Sequence, residues 1–223
     1  MSEPVGTERQ TLEDALARRV EARRGAASPW SEALHELGAV DRAVYQAIAD
    51  TPTPRLDVLF RRLSTSADHS RLWIGIAAAM AVLGGRRGRR AAADGLLAIG
   101  TTSAAVNLGV KPIARRQRPA RVEPAPFGGR YVPMPKSTSF PSGHSASAFA
   151  FAYAVSRDLP RLAVPIGLLA GAVAHSRVHT GVHYPSDAVI GSILGAGTAA
   201  MVTGTDDFWP SAAVRWWDAR RSP

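Results

Sequence analysis

The chain has 223 residues, of which 46% are hydrophobic and 20% charged, so it can build a sizeable core and is not a disordered chain. It contains no cysteine, which excludes disulfide frameworks, thiolate metal sites and cysteine nucleophiles. The 27 Lys and Arg against 18 Asp and Glu give a formal charge of +9. This excess indicates an anionic partner, either nucleic acid, a phosphate ester or an acidic lipid.

The first 55 residues are predicted to form a polar leader followed by an amphipathic helix. The opening residues include acids and no apolar run, so no secretory signal peptide is expected. Between residues 31 and 49 an apolar stripe at helical spacing predicts a helix that lies on a bundle or on a lipid surface, and prolines at 52 and 54 end it. Asp41 and Arg42 make full insertion costly, which favours an interfacial or re-entrant helix and leaves open whether it crosses the membrane.

From residue 72 the chain changes to charge-free runs rich in Ala, Gly, Leu and Val, without the alternation of half-buried strands. Each run is shorter than the roughly 20 residues of a membrane span. Small residues let membrane helices pack closely, however, and flanking arginines can extend short spans. Residues 56–205 are therefore predicted to form an all-α, membrane-embedded bundle of about five to six helices. The runs are residues 72–85, 95–110, 145–156, 162–174 and 188–205.

The order of charges predicts how such a bundle is oriented. If all five runs cross, an arginine-rich loop at residues 86–90 and the end of the chain lie on one side, which the positive-inside rule assigns to the cytoplasm. Residues 111–144 and 175–187 then share the extracytoplasmic face of a multi-pass protein of the cell membrane. Residues 206–223, with three Trp beside arginines, are expected to anchor at the interface, and nucleic-acid binding is not expected.

Two clusters that suit an anion lie in residues 111–144. The first runs from Lys111 to Arg118-Pro119, where several cations on the outer side of a membrane need an anion. The second is Phe-Pro-Ser-Gly-His at residues 140–144, directly before an apolar run. Backbone amides at such a helix start, together with the helix dipole, favour a negative group.

A third cluster lies in residues 175–187, where Ser176 and Arg177 are followed by His183 and Asp187. At this spacing the carboxylate can hold one imidazole nitrogen and leave the other free to attack. Three of the six histidines fall in this segment, but their spacing matches no metal-binding motif and the nearby cations would repel a metal ion. No metal and no cofactor are therefore expected.

Together the three clusters resemble the signature of the type 2 phosphatidic acid phosphatase (PAP2) superfamily. The order is Lys-x6-Arg-Pro, then Pro-Ser-Gly-His, then Ser-Arg-x5-His-x3-Asp, without a departure, and the likeness covers about residues 56–205. It implies a helical bundle that hydrolyses a phosphatidate-like or polyprenyl phosphate or pyrophosphate through a phosphohistidine, without a metal. The matching residues are Lys111, Arg118, Pro119, Pro141, Ser142, Gly143, His144, Ser176, Arg177, His183 and Asp187.

The resemblance also implies a role for each matching residue. His183 would be the nucleophile, Asp187 its orienting partner and His144 the general acid. The phosphate oxygens would be bound by Lys111, Arg118, Ser142, Gly143 and Arg177. The loop at residues 120–139, rich in proline and interspersed with cations, is expected to select the substrate.

Three alternatives stay open at this stage. A soluble-type acid phosphatase would use the same chemistry, and a vanadium-dependent haloperoxidase would hold vanadate in the same anion pocket. A membrane protein that only captures phosphorylated lipids is less favoured, because binding alone needs no nucleophile. The sequence leaves open the lipid, the choice between monophosphate and pyrophosphate, and the oligomeric state.

Overall fold

The computed structural model describes residues 29–121 and 129–204, in which all regular secondary structure is helical and no strand occurs, as predicted. Residues 1–28, which include the predicted polar leader, and the predicted anchor at 206–223 lie outside the described residues. A π-helical turn, Ala105–Val110, follows α4, and 3-10 turns at Asp68–Ser70 and Pro160–Leu162 precede α3 and α6. The seven α-helices are α1 (Pro29–Asp50), α2 (Pro54–Ser66), α3 (Arg71–Leu83), α4 (Gly85–Ala104), α5 (Gly143–Asp158), α6 (Ala163–His179) and α7 (Pro185–Gly204).

The chain divides into two compact units, and the boundary falls between Ala43 and Val44, inside α1. The boundary at residue 55, between the N-terminal segment and the catalytic bundle, stays a prediction. The described part of the first unit is residues 29–43, where Leu37 and Val40 of the predicted apolar stripe are 64% and 60% exposed. The predicted helix and its end before the prolines are confirmed, while its relation to the membrane stays a prediction.

The predicted loop at residues 86–90 is wrong, because its four arginines lie in the first turns of α4. The connection between α3 and α4 is confined to Gly84, and Gly85, with φ 60°, is the first residue of α4. The amide of Gly84 closes α3 on the carbonyl of Met80 at 2.8 Å. Arginine is a good helix former, so a turn of two glycines lets α4 begin before the charges end. Helix α2 was not predicted, since its charged residues hide its apolar face.

The arginine-rich start of α4 lies at one end of the second unit. The ends of α5 and α7, which were predicted on the same side of the membrane, lie beside it. Arg90 Nε lies 3.3 Å from Asp158 Oδ1 at the end of α5. Arg157 Nη1 donates to Thr203 Oγ1 near the end of α7 at 2.9 Å. The alternation of helix directions is therefore as predicted, and the segments with the predicted site residues meet at the opposite end.

Helix α5 is central to the second unit, because it packs against α4, α6 and α7 and buries most of its alanine-rich surface. Phe151 is fully buried and packs on Trp73 of α3, with 5.2 Å between ring centroids. Helix α7 approaches α5 so closely that a side chain on Gly195 would overlap the carbonyl of Ala146. Small residues thus set the distance between these two helices.

Large apolar side chains cover the outside of several helices. Such a surface is unfavourable in water and suits a lipid environment. Two segments, Pro160–His179 and Pro185–Gly204, are long and apolar enough to cross a membrane by themselves. The side chains with more than two thirds of their surface exposed include Val82, Leu83, Leu108, Leu168 and Met201.

The close contact between α5 and α7 predicts that Gly195→Ala destabilises the protein by about 1–3 kcal/mol, because the new methyl group forces the helices apart. Gly197→Ala is the matched control in the same helix, since nothing lies within 4 Å of its new Cβ. Because alanine favours a helix by up to about 1 kcal/mol over glycine, this control should be neutral or stabilising. Thermal unfolding in detergent measures the stability of both variants. Equal unfolding midpoints for the two would contradict the close packing of α7 on α5.

Candidate active site

The end of α6 fixes the position of His183. The helix ends at His179, and the amides of Val182 and His183 both donate to the carbonyl of Arg177, at 3.1 and 3.2 Å. Gly181 has φ 71°, the left-handed conformation that ends many helices in this way and that glycine adopts without steric cost. The predicted nucleophile and the third predicted cation are therefore held on one short, rigid segment.

Asp187 lies in the first turn of α7, fully buried, and its carboxylate is held by several donors. Oδ2 accepts hydrogen bonds from Ser139 Oγ at 2.5 Å and from the amide of Tyr184 at 2.9 Å, and Oδ1 accepts one from Arg116 Nη1 at 2.8 Å. His183 Nδ1 lies 3.6 Å from Oδ2 and has no hydrogen-bond partner among the described residues. The carboxylate thus faces this imidazole nitrogen in a fixed orientation.

The other nitrogen of His183 faces Arg118. Arg118 Nη1 lies 3.2 Å from Nε2 and donates to the carbonyl of Val182 at 2.6 Å. Because a guanidinium only donates, Nε2 must be the accepting nitrogen and the ring hydrogen lies on Nδ1, toward Asp187. Burial, helped by the charges of Arg118 and Arg177 and opposed by Asp187, lowers the pKa of His183 to about 4, so the ring is neutral near pH 7.

Lys111 is joined to Arg118 through Ser137, whose Oγ lies 3.4 Å from Lys111 Nζ and 3.1 Å from Arg118 Nη2. The π-helical turn ends here, with the amide of Lys111 bonded to the carbonyl of Val106, five residues back, at 2.9 Å. Burial and then the charge of Arg118 lower the pKa of Lys111. In the described part of the chain, no carboxylate lies within ion-pair distance of either cation.

The start of α5 faces Lys111 and is fastened to α7. Ser142 caps α5 with its hydroxyl, and its amide donates to the carbonyl of Asp187 at 2.9 Å. The amide of Ser142 therefore stabilises the contact with α7 and is not available to a ligand. The first-turn amides of Gly143 and His144, in contrast, have no hydrogen-bond partner within the helix. A side chain on Gly143 would lie 3.7 Å from Lys111 Nζ. The amides and the lysine can thus approach the same anion.

Asp68 belongs to the site although the sequence analysis did not predict it. Its Oδ1 lies 2.8 Å from His144 Nε2 and 3.7 Å from Arg177 Nη1. Arg177 is 2% exposed and also donates to Ser64 Oγ at 2.5 Å, while its Nε has no partner among the described residues. Burial, helped by the charge of Arg177, lowers the pKa of His144 to about 3, and the hydrogen bond and charge of Asp68 oppose this shift. The ring is therefore neutral near pH 7 without an anion, and the negative charge of a bound phosphate would add to that of Asp68 in favouring the protonated form. Asp68 also shares Arg177 with any bound anion.

Arg116, Ser137 and Ser139 also were missed, and all three lie within or between the first two clusters. Arg116 is one of the cations of the first cluster, but nothing in its spacing separates it from its exposed neighbour Arg115. The sequence signal for Asp68 is an acidic residue shortly before an apolar run. This signal is too weak by itself to indicate a site residue. These residues act through contacts between distant segments, which a single sequence does not reveal.

The described part of the predicted substrate loop is held against the rest of the second unit by two arginines. Arg130 is 3% exposed and donates to Asp57 Oδ1 at 2.9 Å and to two backbone carbonyls at the end of α1. Arg121 donates to the carbonyl of Gly181 at 3.1 Å and, within the loop, to the carbonyl of Val132 at 2.8 Å. Residues 122–128 of this loop lie outside the described residues. The segment from 129 to 136 is thus a fixed wall rather than a free connector.

The two other histidines of the third cluster make different contacts. His179 Nε2 lies 2.7 Å from Asp57 Oδ1, and the ring of His175 packs on Phe60 with 4.9 Å between centroids. Within residues 29–121 and 129–204, no three His, Asp or Glu side chains are grouped so as to hold a metal ion.

The predicted residues converge at one cavity of about 510 Å³. Lys111, Gly143, His144 and Arg177 line it together with Asp68, and the remaining predicted residues adjoin these through the contacts described above. An anion in this cavity would meet two cations, Lys111 and Arg177, and free first-turn amides. Arg118 and the neutral imidazole of His183 lie next to this lining, with Nε2 of the ring facing Arg118 Nη1 at 3.2 Å. Such a set can stabilise phosphoryl transfer by charge neutralisation and by placing the attacking atom.

Comparison with known proteins agrees with this site. A sequence profile of the PAP2 superfamily matches residues 92–209, a range that holds all three clusters. Decaprenylphosphoryl-5-phosphoribose phosphatases of Mycobacterium tuberculosis and Mycolicibacterium smegmatis are each 35% identical over 164 and 162 residues. These matches cover 74% and 72% of this chain, and 87% and 84% of the two relatives.

Two solved structures have the same fold. The transmembrane PAP2 type phosphatidylglycerolphosphate phosphatase of Bacillus subtilis has a TM-score of 0.58 and 27% identity, over 77% of this chain and 87% of its own. Aquifex aeolicus LpxE has a TM-score of 0.59 and 22% identity, over 73% of this chain and 93% of its own, and supports the fold alone. This chain therefore belongs to the PAP2 superfamily and, within it, to the membrane lipid phosphatases.

Proposed function

We propose that the protein removes the phosphomonoester of a polyprenyl-linked sugar phosphate, through a phosphohistidine at His183 and without a metal ion. The substrate class is supported by two relatives, both named as decaprenylphosphoryl-5-phosphoribose phosphatases. The observation that carries the mechanism is the position of His183 between Arg118, 3.2 Å from Nε2, and Asp187, 3.6 Å from Nδ1.

In the first step, Nε2 of His183 attacks phosphorus while the bond from phosphorus to the sugar oxygen breaks. His144 gives its proton to that oxygen, so the headgroup leaves as an alcohol rather than as an alkoxide. Asp187 stabilises the positive charge that develops on the attacking ring. The negative charge on the phosphoryl oxygens is met by Lys111, Arg118 and Arg177.

In the second step, a water molecule replaces the headgroup and attacks the same phosphorus. The neutral His144 left by the first step accepts a proton from this water, and the bond from phosphorus to Nε2 breaks. Inorganic phosphate leaves, His144 is protonated again and His183 returns to its neutral form. Asp68, 2.8 Å from His144 Nε2, favours the protonated ring that the next cycle needs.

We also propose that the protein crosses the membrane several times and carries its active site on the extracytoplasmic face. The arginines at the start of α4 and the link after α5 share the end of the second unit opposite to the cavity. Arginine-rich ends of membrane helices are retained in the cytoplasm. A lipid in the outer leaflet could then reach the cavity while its polyprenyl tail stays in the bilayer.

The substrate proposal is tested by phosphate release from purified protein in neutral detergent with excess EDTA. Decaprenylphosphoryl-5-phosphoribose should be hydrolysed faster than phosphatidate or polyprenyl pyrophosphate, and His183→Gln should release no phosphate from any of them. A strict requirement for added divalent metal, or undiminished release by His183→Gln, would contradict the mechanism. Preference for the pyrophosphate would contradict the substrate class.

The contact between Arg116 and Asp187 predicts a catalytic effect for a residue that does not touch the phosphate. Arg116→Gln removes the charged donor from Oδ1, a hydrogen bond of about 1.5–3 kcal/mol, so kcat should fall by about ten- to a hundredfold with little change in KM. Arg115→Gln, at the exposed neighbouring position, is the control and should keep the wild-type kcat. Equal rates for the two variants would show that Arg116 does not position Asp187.

The orientation is tested with single cysteines, because the chain has none of its own. In intact cells, Lys136→Cys, at an exposed position next to Pro135 of the cavity wall, should react with a membrane-impermeant maleimide. Arg87→Cys, at the start of α4, should react only after the cells are permeabilised. The opposite labelling pattern would place the active site in the cytoplasm.

A further inference from the structure

A second cavity, of about 770 Å³, lies beside the active site and carries three arginines. Arg61 and Arg62 come from the end of α2 and Arg71 begins α3, and the hydroxyls of Thr65 and Ser66 lie among them. We call this the three-arginine cavity. None of the mechanistic steps uses it.

The three guanidinium groups are available to a ligand. Among the residues that the structure describes, none of the three forms an ion pair or a side-chain hydrogen bond, and all three are exposed. Arg116, Arg121 and Arg130, by contrast, are all bonded within the fold. Three neighbouring cations repel each other, so an anion bound between them is stabilised by all three.

The three-arginine cavity and the active-site cavity share a wall. Val132 and Pro133 of the substrate loop line both cavities. Residues 67–70, which line the active-site cavity, connect Ser66 with Arg71, which line the other. Asp68, in the middle of this connection, contacts His144 at 2.8 Å. A ligand that fills both cavities would therefore carry two anionic groups a short distance apart.

The cavity also has a side that suits the lipid part of a substrate. Its wall includes Leu72 and Pro133 beside the arginines, and Ile74 on the next turn of α3 is 51% exposed. The wall at Tyr131 is fixed, because Arg121 lies over its ring at 4.9 Å. Apolar side chains and arginines thus lie side by side in the lining of this cavity.

We infer that the three-arginine cavity binds a second phosphate of the substrate, the phosphodiester that joins the sugar to the polyprenyl chain, while the active site takes the terminal phosphomonoester. This inference rests on the proposed function. It makes the cavity a specificity site, since lipids with a single phosphate, such as phosphatidate, leave it unoccupied. Guanidinium groups suit this task because they bind two phosphate oxygens at once.

The test compares two soluble ligands by calorimetry, with the full-length protein in neutral detergent and a His183→Gln background that prevents turnover. One ligand is ribose 5-phosphate, and the other is the same compound with a methyl phosphodiester at the anomeric carbon. The second ligand should bind about tenfold more tightly or better. The double variant Arg61→Gln/Arg71→Gln should abolish this preference without weakening ribose 5-phosphate, and Arg61→Lys/Arg71→Lys should keep part of it.

Arg55→Gln is the matched control, because Arg55 is an exposed arginine of α2 that does not line the cavity. A preference that survives the double substitution, or an equal loss for both ligands, would overturn the inference. So would a double variant that changes only binding to vesicles of anionic lipid, since the arginines would then serve as a membrane anchor.

The inference and the proposed function can fail separately. If wild-type protein releases no phosphate from decaprenylphosphoryl-5-phosphoribose, the proposed function is refuted, and the two affinities still decide whether the cavity binds a second phosphate. If release is normal and the arginine variants keep the preference, only the cavity assignment is refuted. Thermal unfolding of each variant checks that these exposed substitutions leave the fold intact.

Discussion

The structure depends on one constraint: its active site removes positive charges from water without pairing each of them with a carboxylate. Lys111 and Arg118 have no carboxylate within ion-pair distance among the described residues, and Arg177 shares a single one, Asp68. Burying an unpaired charge costs several kcal/mol, which is seen in the lowered pKa of Lys111. A bound phosphate would offset this cost by pairing with the cations, so the fold itself favours the binding of an anion.

The packing of the helices and the chemistry of the site are coupled at one contact. Helix α5 starts at the cation cluster and α7 carries Asp187 in its first turn, and the amide of Ser142 donates to the carbonyl of Asp187 at 2.9 Å. Gly191 and Gly195 let α7 lie directly on the backbone of α5. Helix α5, which carries His144, and helix α7, which carries the carboxylate facing His183, therefore form one rigid pair. This pair fixes the positions of the two imidazoles relative to each other.

Much of the site could be predicted because its residues lie at helix ends, where spacing and turn residues fix their position. The proline and glycine on either side of Ser142 marked the start of α5 correctly. The arginines at 86–90 were misplaced because charge was taken as a sign of a loop, although a turn of two glycines suffices. Asp68 and Arg116 could not be predicted, since their partners are 76 and 71 residues away.

The most direct test of the account is to capture the covalent intermediate. The protein is mixed for milliseconds with substrate carrying radioactive phosphorus in its terminal phosphomonoester and is then quenched in alkali. The account predicts label that survives alkali, is lost in acid and maps to the peptide containing His183, and none in His183→Gln. Label on another residue, or rapid phosphate release without any labelled protein, would contradict it.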